Sequence, residues 1–143
     1  MELFKMNVQL RWSDLDPNFH VRHSAYYDWG ALCRIQFLND FGLSSDVMAK
    51  LQFGPILFRE ECIFRKELKL GDDVSINLSL QKSRKDFSRW SIQHEILKGD
   101  QVAAKLSVDG AWINMMLRKL ATPPPEVAEV FNLMPKGEGF EWQ

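Results

Sequence analysis

The sequence has no excess of charge of either sign. Its 143 residues carry 18 Lys and Arg against 19 Asp and Glu, a net charge of −1. No bulk field is available to hold nucleic acid or an anionic membrane, so either partner would need a local basic patch. Cysteine is scarce. Cys33 and Cys62 show neither metal nor redox spacing, and we expect them reduced in the core of a cytoplasmic protein. Long apolar runs are missing too. No uncharged stretch exceeds eight residues, against roughly 20 for a bilayer span. Met1-Glu2-Leu3-Phe4-Lys5 lacks the basic start and apolar stretch of a signal peptide. There is no Gly-x-Ser-x-Gly elbow, no phosphate-cradling glycine loop, no repeat and no low-complexity linker. What remains, 45% hydrophobic and 26% charged, is the composition of an ordinary globular chain, and we expect one domain over residues 1–143.

Alternation marks the strands. Val8, Leu10 and Trp12 alternate with Asn7, Gln9 and Arg11. Val74, Ile76, Leu78 and Leu80 form a second run, and Trp90, Ile92 and Ile96 a third. Val102, Ala104, Leu106 and Val108 form a fourth that continues past Gly110 into Trp112. The pattern blurs at Gly110, which predicts a bulge or a close backbone approach there. Residues 56–69 are a noisier strand, with Phe58, Cys62 and Phe64 on one face. Residues 24–41 contain no proline and end at Gly42, a natural helix stop. Their apolar residues are not confined to one stripe, and the charges Asp28, Arg34 and Asp40 point in three directions. That predicts a buried helix. Thr122-Pro123-Pro124-Pro125-Glu126 opens a short helix to about residue 132. The order strand, long helix, four-stranded meander, short helix is α+β with a mostly antiparallel sheet. A sheet wrapped on one apolar helix leaves an edge and a face to cover, so a homo-oligomer is expected.

The densest polar cluster runs from Ser13 to Ser24 and holds Asp14, Asp16, Asn18, His20 and His23. One reading is a solvated loop, with Asp16-Pro17-Asn18 as turn chemistry and Ser24 as the helix cap. A metal site is another, although the cluster has no defined ligand spacing. The third is catalytic. The loop leads into a helix start, where unpaired N–H groups carry about half a positive charge and can polarise a carbonyl. A nearby carboxylate can attack that carbonyl or activate water.

Arg11-Trp12-Ser13-Asp14-Leu15-Asp16-Pro17, His20-Val21 and His23-Ser24-Ala25-Tyr26 resemble the signature loop of hot-dog-fold acyl-CoA thioesterases, in the branch of 4-hydroxybenzoyl-CoA thioesterase. Trp29 and Arg34 continue the likeness. Residues 58–60 and Lys66-Glu67-Leu68-Lys69-Leu70-Gly71-Asp72 resemble that family's second strand and Leu-Gly-Asp turn. The resemblance implies a hot-dog fold, a homodimer or homotetramer, an acyl-CoA or acyl-thioester substrate and no cofactor or metal. It also implies a catalytic Asp16, with the His23 backbone N–H aimed at the thioester carbonyl and Ser24 and Tyr26 beside the substrate. Phe19 stands where the family has a glycine. Arg22-His23 replaces its usual polar pair, and Ala31 and Leu32 replace acidic residues.

Arg84, Lys85 and Arg89 crowd a hairpin turn. They are either a solvated turn or a clamp for the phosphates of coenzyme A. His94, on an apolar strand face, is expected to be a hydrogen-bonded core histidine. A non-catalytic hot-dog module that binds acyl groups, with Phe19 as its support, is the alternative. A hydratase would have to use His20.

Overall fold

The computed structural model describes residues 4–143; residues 1–3, part of the N-terminal stretch discussed above, lie outside the described residues. The elements are β1 (Phe4–Val8), a 3₁₀ turn (Trp12–Asp14), α1 (His23–Asp40), α2 (Ser45–Leu51) and β2 (Phe53–Phe64). They continue with β3 (Val74–Ser83), β4 (Arg89–Lys98), β5 (Gln101–Asn114), β6 (Lys119–Leu120), α3 (Pro125–Asn132) and β7 (Lys136–Trp142). Among the described residues the strands form one seven-stranded sheet of order β1-β3-β4-β5-β2, with β6 on β5 and β7 on β3. All pairings are antiparallel except β3 with β7. The sheet curls around α1, whose Ala25, Tyr26, Trp29, Cys33 and Phe37 are buried against Ile76, Leu78, Ile96 and Leu106. That is the hot-dog arrangement the loop resemblance implies.

Several expectations need correction. The first strand ends at Val8, and Trp12 is 72% exposed. The Asp14 carboxylate captures the Arg11 N–H (2.9 Å) and pulls the chain out of the sheet into a tight turn. The four later strands are not one meander. β3, β4 and β5 are, but β2 crosses to the far edge and pairs with β5. Alternation specifies that a strand exists, not which neighbour supplies its hydrogen bonds. Phe58 does not share a face with Cys62 and Phe64. A register shift between Leu57 and Arg59 reverses the alternation. Pro55 and Leu57 then face α1, and Phe58 lies under the Arg89 guanidinium, 5.3 Å from its ring centroid. That shift sits opposite Gly110, where a Cβ would collide with the Trp90 ring and the Ile56 carbonyl.

α1 is not buried all round: Leu32 and Ile35 are exposed. α2 has no counterpart among the elements expected from the sequence. Ser44 caps it by accepting from the Val47 N–H at 3.2 Å. β7, rich in glycine and charge, gave no strand signal.

Candidate active site

The loop between β1 and α1 is organised around a carboxylate, and it is Asp14. Its side chain is 1% exposed and accepts from the Arg11 N–H and from Arg11 Nη2, each at 2.9 Å. The Arg22 Nη2 lies 3.7 Å away on the other flank. The bond from Arg11 holds the Asp14 carboxyl below the ordinary aspartate value, against the effect of burial. The Asp14 carbonyl also accepts from the Arg22 N–H at 2.7 Å. Asp14 therefore ties the strand exit to the helix entry, and it is enclosed by cations rather than presented to a substrate.

Two residues on, Asp16 has the opposite setting. It is half-buried, and its Oδ1 accepts from the backbone N–H groups of Asn18 (2.9 Å) and His20 (3.1 Å). Its own N–H donates to the His20 carbonyl (2.7 Å), and its carbonyl accepts from the Phe19 N–H (3.0 Å). Closing that tight loop requires Phe19 at φ +64°, left-handed backbone that favours glycine. The phenylalanine thus keeps the turn that a glycine would make. Its ring lies over Trp12, centroids 6.3 Å apart. The Asp16 Oδ2 takes no hydrogen bond from the described residues. His20 is tied down, its Nε2 3.2 Å from Glu67 Oε2, and Val21 is anchored by its N–H to the Leu68 carbonyl (2.8 Å).

α1 starts at His23, as expected. Ser24 is not its cap, however. The cap position is Arg22, which makes no capping side-chain bond, and the Ser24 Oγ instead accepts from the Arg22 Nη1. Among the described residues, the N–H groups of His23 and Ser24 have no acceptor; the Ala25 N–H donates to the Arg22 carbonyl. Asp16, His20, Arg22, His23 and Tyr26 line one hollow of about 490 Å³, closed on the far side by Phe64 and Leu68. Tyr26 packs edge-on to Phe64, centroids 4.9 Å apart. Burial pushes its hydroxyl up to about 12, so it stays a neutral donor. Arg65 and Lys66 also line the hollow. Nothing in their sequence setting separates them from the charged end of a strand.

Ser24 does not line this hollow, and neither does the basic turn. Arg84 and Arg89 line a shallow cleft with Asp86 and Thr122, while Lys85 faces a different one with Phe87 and Glu129. Arg89 pairs with Ala111 opposite Ile56, whereas Phe64 is paired with Ala104. The turn and the hollow therefore sit at opposite ends of the sheet in one protomer, about 25 Å apart at ~3.3 Å per strand residue. Among the described residues, no three His, Cys, Asp or Glu side chains converge as metal ligands, and no helix is long and apolar enough to cross a membrane.

A family model described as the thioesterase-like superfamily matches residues 10–131. No curated protein matches significantly. Among solved structures, the chain is similar to a hypothetical protein of Staphylococcus aureus in complex with CoA. The TM-score is 0.83 and the identity 20%, over 99% of this chain and 90% of that one. It is also similar to a 1,4-dihydroxy-2-naphthoyl-CoA thioesterase from Synechocystis, with a TM-score of 0.81 and 18% identity over 92% and 97% of the two chains. A gentisyl-coenzyme A thioesterase superposes with a TM-score of 0.76 at 20% identity, over 90% of this chain and 98% of that one. The family match spans the Asp16 loop, α1 and strands β2 to β6, and the chain belongs to the thioesterase-like superfamily.

Proposed function

We propose that the protein is an acyl-CoA thioesterase in which Asp16 carries the chemistry. The supporting observation is a half-buried carboxylate with one oxygen held by two amides and the other unengaged, in a hollow lined also by His23, whose N–H at the start of α1 has no acceptor among the described residues. A thioester carbonyl placed against the His23 N–H is polarised by it and by the helix dipole. Asp16 then acts on it in one of two ways. As general base it takes a proton from water, whose oxygen bonds to the carbonyl carbon. As nucleophile its Oδ2 forms that bond, and water later cleaves the anhydride. In both, the C–S bond breaks and sulfur leaves as the free thiol of coenzyme A. The CoA complex and the CoA-thioesterase names among the structural neighbours support a CoA thioester as the substrate class.

A dimer completes the site. β2 is a 12-residue edge strand with one side unpaired, and it exposes Leu57, Phe58, Ile63 and Phe64. Such an edge calls for a partner. Antiparallel pairing of β2 with its copy sets each Phe64 end against the partner's other end. Each Asp16 hollow then approaches the Arg84–Arg89 turn of the second protomer. This brings the basic turn to the coenzyme A phosphates, which a single protomer does not.

The test is an acyl-CoA panel read by free thiol, wild type beside Asp16→Asn. The variant is expected to keep the fold, with stability within about 1 kcal/mol because the site is solvent-accessible, and to lose about 100-fold or more in kcat. Oxygen-18 from labelled water in Asp16 after a single turnover, or an acyl group trapped on Asp16, marks the nucleophile route; label in the acid product alone with no trappable acyl-enzyme marks the general base. Equal turnover by Asp16→Asn would overturn the assignment. A chain that binds acyl-CoA without releasing thiol would be the binding module instead.

A further inference from the structure

Besides Asp14, the α1–sheet packing holds a cation that the Asp16 hollow does not use. Arg34, at the start of the fourth turn of α1, is half-buried between helix and sheet. Its Nη1 lies 3.0 Å from His94 Nε2. The other ring nitrogen, Nδ1, lies 2.9 Å from the Asn77 carbonyl oxygen. A carbonyl only accepts, so Nδ1 carries the proton and Nε2 offers its lone pair to the guanidinium. His94 thus gives Arg34 a hydrogen bond but no countercharge. Gly30, one turn earlier, provides the space: a Cβ there would stand 3.2 Å from Arg34 Nη1. Among the described residues no carboxylate forms an ion pair with Arg34. Glu60 favours its charge from a longer distance, and burial outweighs that pull, holding the guanidinium below its ordinary value.

Arg34 opens onto a slot of about 150 Å³ between α1, β2, β4 and α3. The walls are apolar: Ile35 and Leu38 face Leu57, Trp90, Phe131 and Met134. The side-chain nitrogen and oxygen atoms among its lining residues are all donors. They belong to the Arg34 guanidinium and to the Trp90 indole N–H, which is buried without an acceptor. Apolar walls, donors only and a cation lacking a close counter-ion are complementary to an aliphatic chain that ends in an anion.

We propose that this slot binds the carboxylate end of a short aliphatic chain, with Arg34 as its counter-ion and the Trp90 indole N–H as a second donor. The size fits: a cavity of about 150 Å³ holds a benzene-sized group, roughly six heavy atoms. Combined with the thioesterase reading, on which this step rests, the chain is the far end of the acyl group, and the preferred substrates are dicarboxylic acyl-CoA thioesters. The slot lies at the Pro55 and Leu57 end of β2, the end that pairing of two β2 strands sets against the Asp16 hollow of the second protomer.

Two measurements test this, one of them independent of turnover. Hexanoate and 1-hexanol are titrated while the Trp90 indole ¹H–¹⁵N signal is followed, assigned with Trp90→Phe. Hexanoate is expected to move it and to bind about 10- to 100-fold more tightly than hexanol. Arg34→Met is expected to remove that difference. Equal responses to acid and alcohol, or no response, overturn the slot assignment in the wild-type protein alone. So does a signal that hexanoate leaves in place but Glu60→Gln shifts, which would make Glu60 the working counter-ion. The second measurement compares kcat/KM for adipoyl-CoA and heptanoyl-CoA. Wild type is expected to favour adipoyl-CoA by about 10- to 100-fold and Arg34→Met to lose the preference. If neither releases thiol while hexanoate still moves Trp90, the thioesterase reading fails and the slot stands. If both are hydrolysed alike by wild type and Arg34→Met, the slot fails and the thioesterase stands.

Discussion

At the scale of single residues, the fold assigns different work to groups that look equivalent in the sequence. Asp14 and Asp16 are two positions apart with similar neighbours, and either could have been the reactive carboxylate. Arg11 and Arg22 close on Asp14, which leaves Asp16 with only backbone partners. His94 was legible as a core histidine from its place on an apolar face. The interior cation beside it was not legible, because a lone arginine on a helix ordinarily points to water. Burial first, then Arg34, lowers the His94 pKa from 6.5 to about 3, against the hydrogen bond to Asn77. The unfolded chain therefore binds a proton below pH 6.5 that the folded one refuses until about pH 3. Stability is fully present above 6.5 and falls as pH drops through that window, by up to about 1.4 kcal/mol per pH unit. Denaturant midpoints of wild type should decline from pH 6.5 to 4.5. His94→Asn should start lower and decline much less, and parallel slopes would show that other groups drive the loss. Phe19 offers a second check. Its left-handed backbone costs about 1–2 kcal/mol, while a glycine there enlarges the unfolded ensemble by about 0.4–1 kcal/mol. Phe19→Gly should therefore leave stability within about 1 kcal/mol, and Phe19→Ile, β-branched, should lower it measurably in the same melts.

Among the elements, the patterns of α1, β3, β4 and β5 were read correctly, the Val8–Trp12 run was not, and neither was the partner of β2. α1 stood out as eighteen residues without proline that end before a glycine, and β3, β4 and β5 stood out by alternation. The partner of β2 depends on the chain crossing from one edge of the sheet to β3 on the other side of β4 and β5, and no local pattern encodes that. The register shift at Leu57 is likewise invisible, because only the opposing Gly110 and the Trp90 ring beside it require it. β7 has little apolar alternation of its own, since it is held by β3 and by rings such as Phe87 against Trp142 (centroids 5.7 Å apart). The helix-to-sheet contact is tightest at Gly30, where a Cβ would overlap Leu106 Cδ2 and crowd His94 and Arg34. Alanine is the better helix former by about 1 kcal/mol, so propensity alone predicts that Gly30→Ala stabilises. Overpacking a core costs about 1–3 kcal/mol, and here one methyl would push α1 off the sheet. Gly30→Ala should therefore lower the melting temperature, by about 2–8 °C for a chain of this size. A rise would mean that the Leu106 side chain rotates away without cost.

For the whole molecule, the decisive matter is which protomer supplies which part of the site. Within one protomer the Arg84–Arg89 turn and the Asp16 hollow are about 25 Å apart at ~3.3 Å per strand residue, too far for one clamp to serve one reacting thioester. Arg65 and Lys66 already stand at the hollow and are the local candidates for phosphate. The two arrangements differ in how defects combine. On the proposed mechanism Asp16→Asn removes the chemistry, and if the turn holds the coenzyme A phosphates, Arg84→Ala with Arg89→Ala should raise KM with kcat nearly unchanged. Suppose the turn acts across a β2-paired dimer. A mixed dimer of the two variants then has one site with both defects and one with none, and it should show the wild-type KM at about half the wild-type kcat. Suppose instead that each protomer is self-sufficient. Phosphate then rests on Arg65 and Lys66, the Arg84 and Arg89 changes leave KM at the wild-type value already in their own homodimer, and there is no raised KM for the mixed dimer to repair. Co-expressing the two chains with different tags, purifying the mixed species and measuring its KM for one acyl-CoA beside that of the Arg84→Ala, Arg89→Ala homodimer separates these outcomes. A monomer by light scattering at micromolar concentration would remove the cross-dimer route and leave Arg65 and Lys66 as the phosphate contacts.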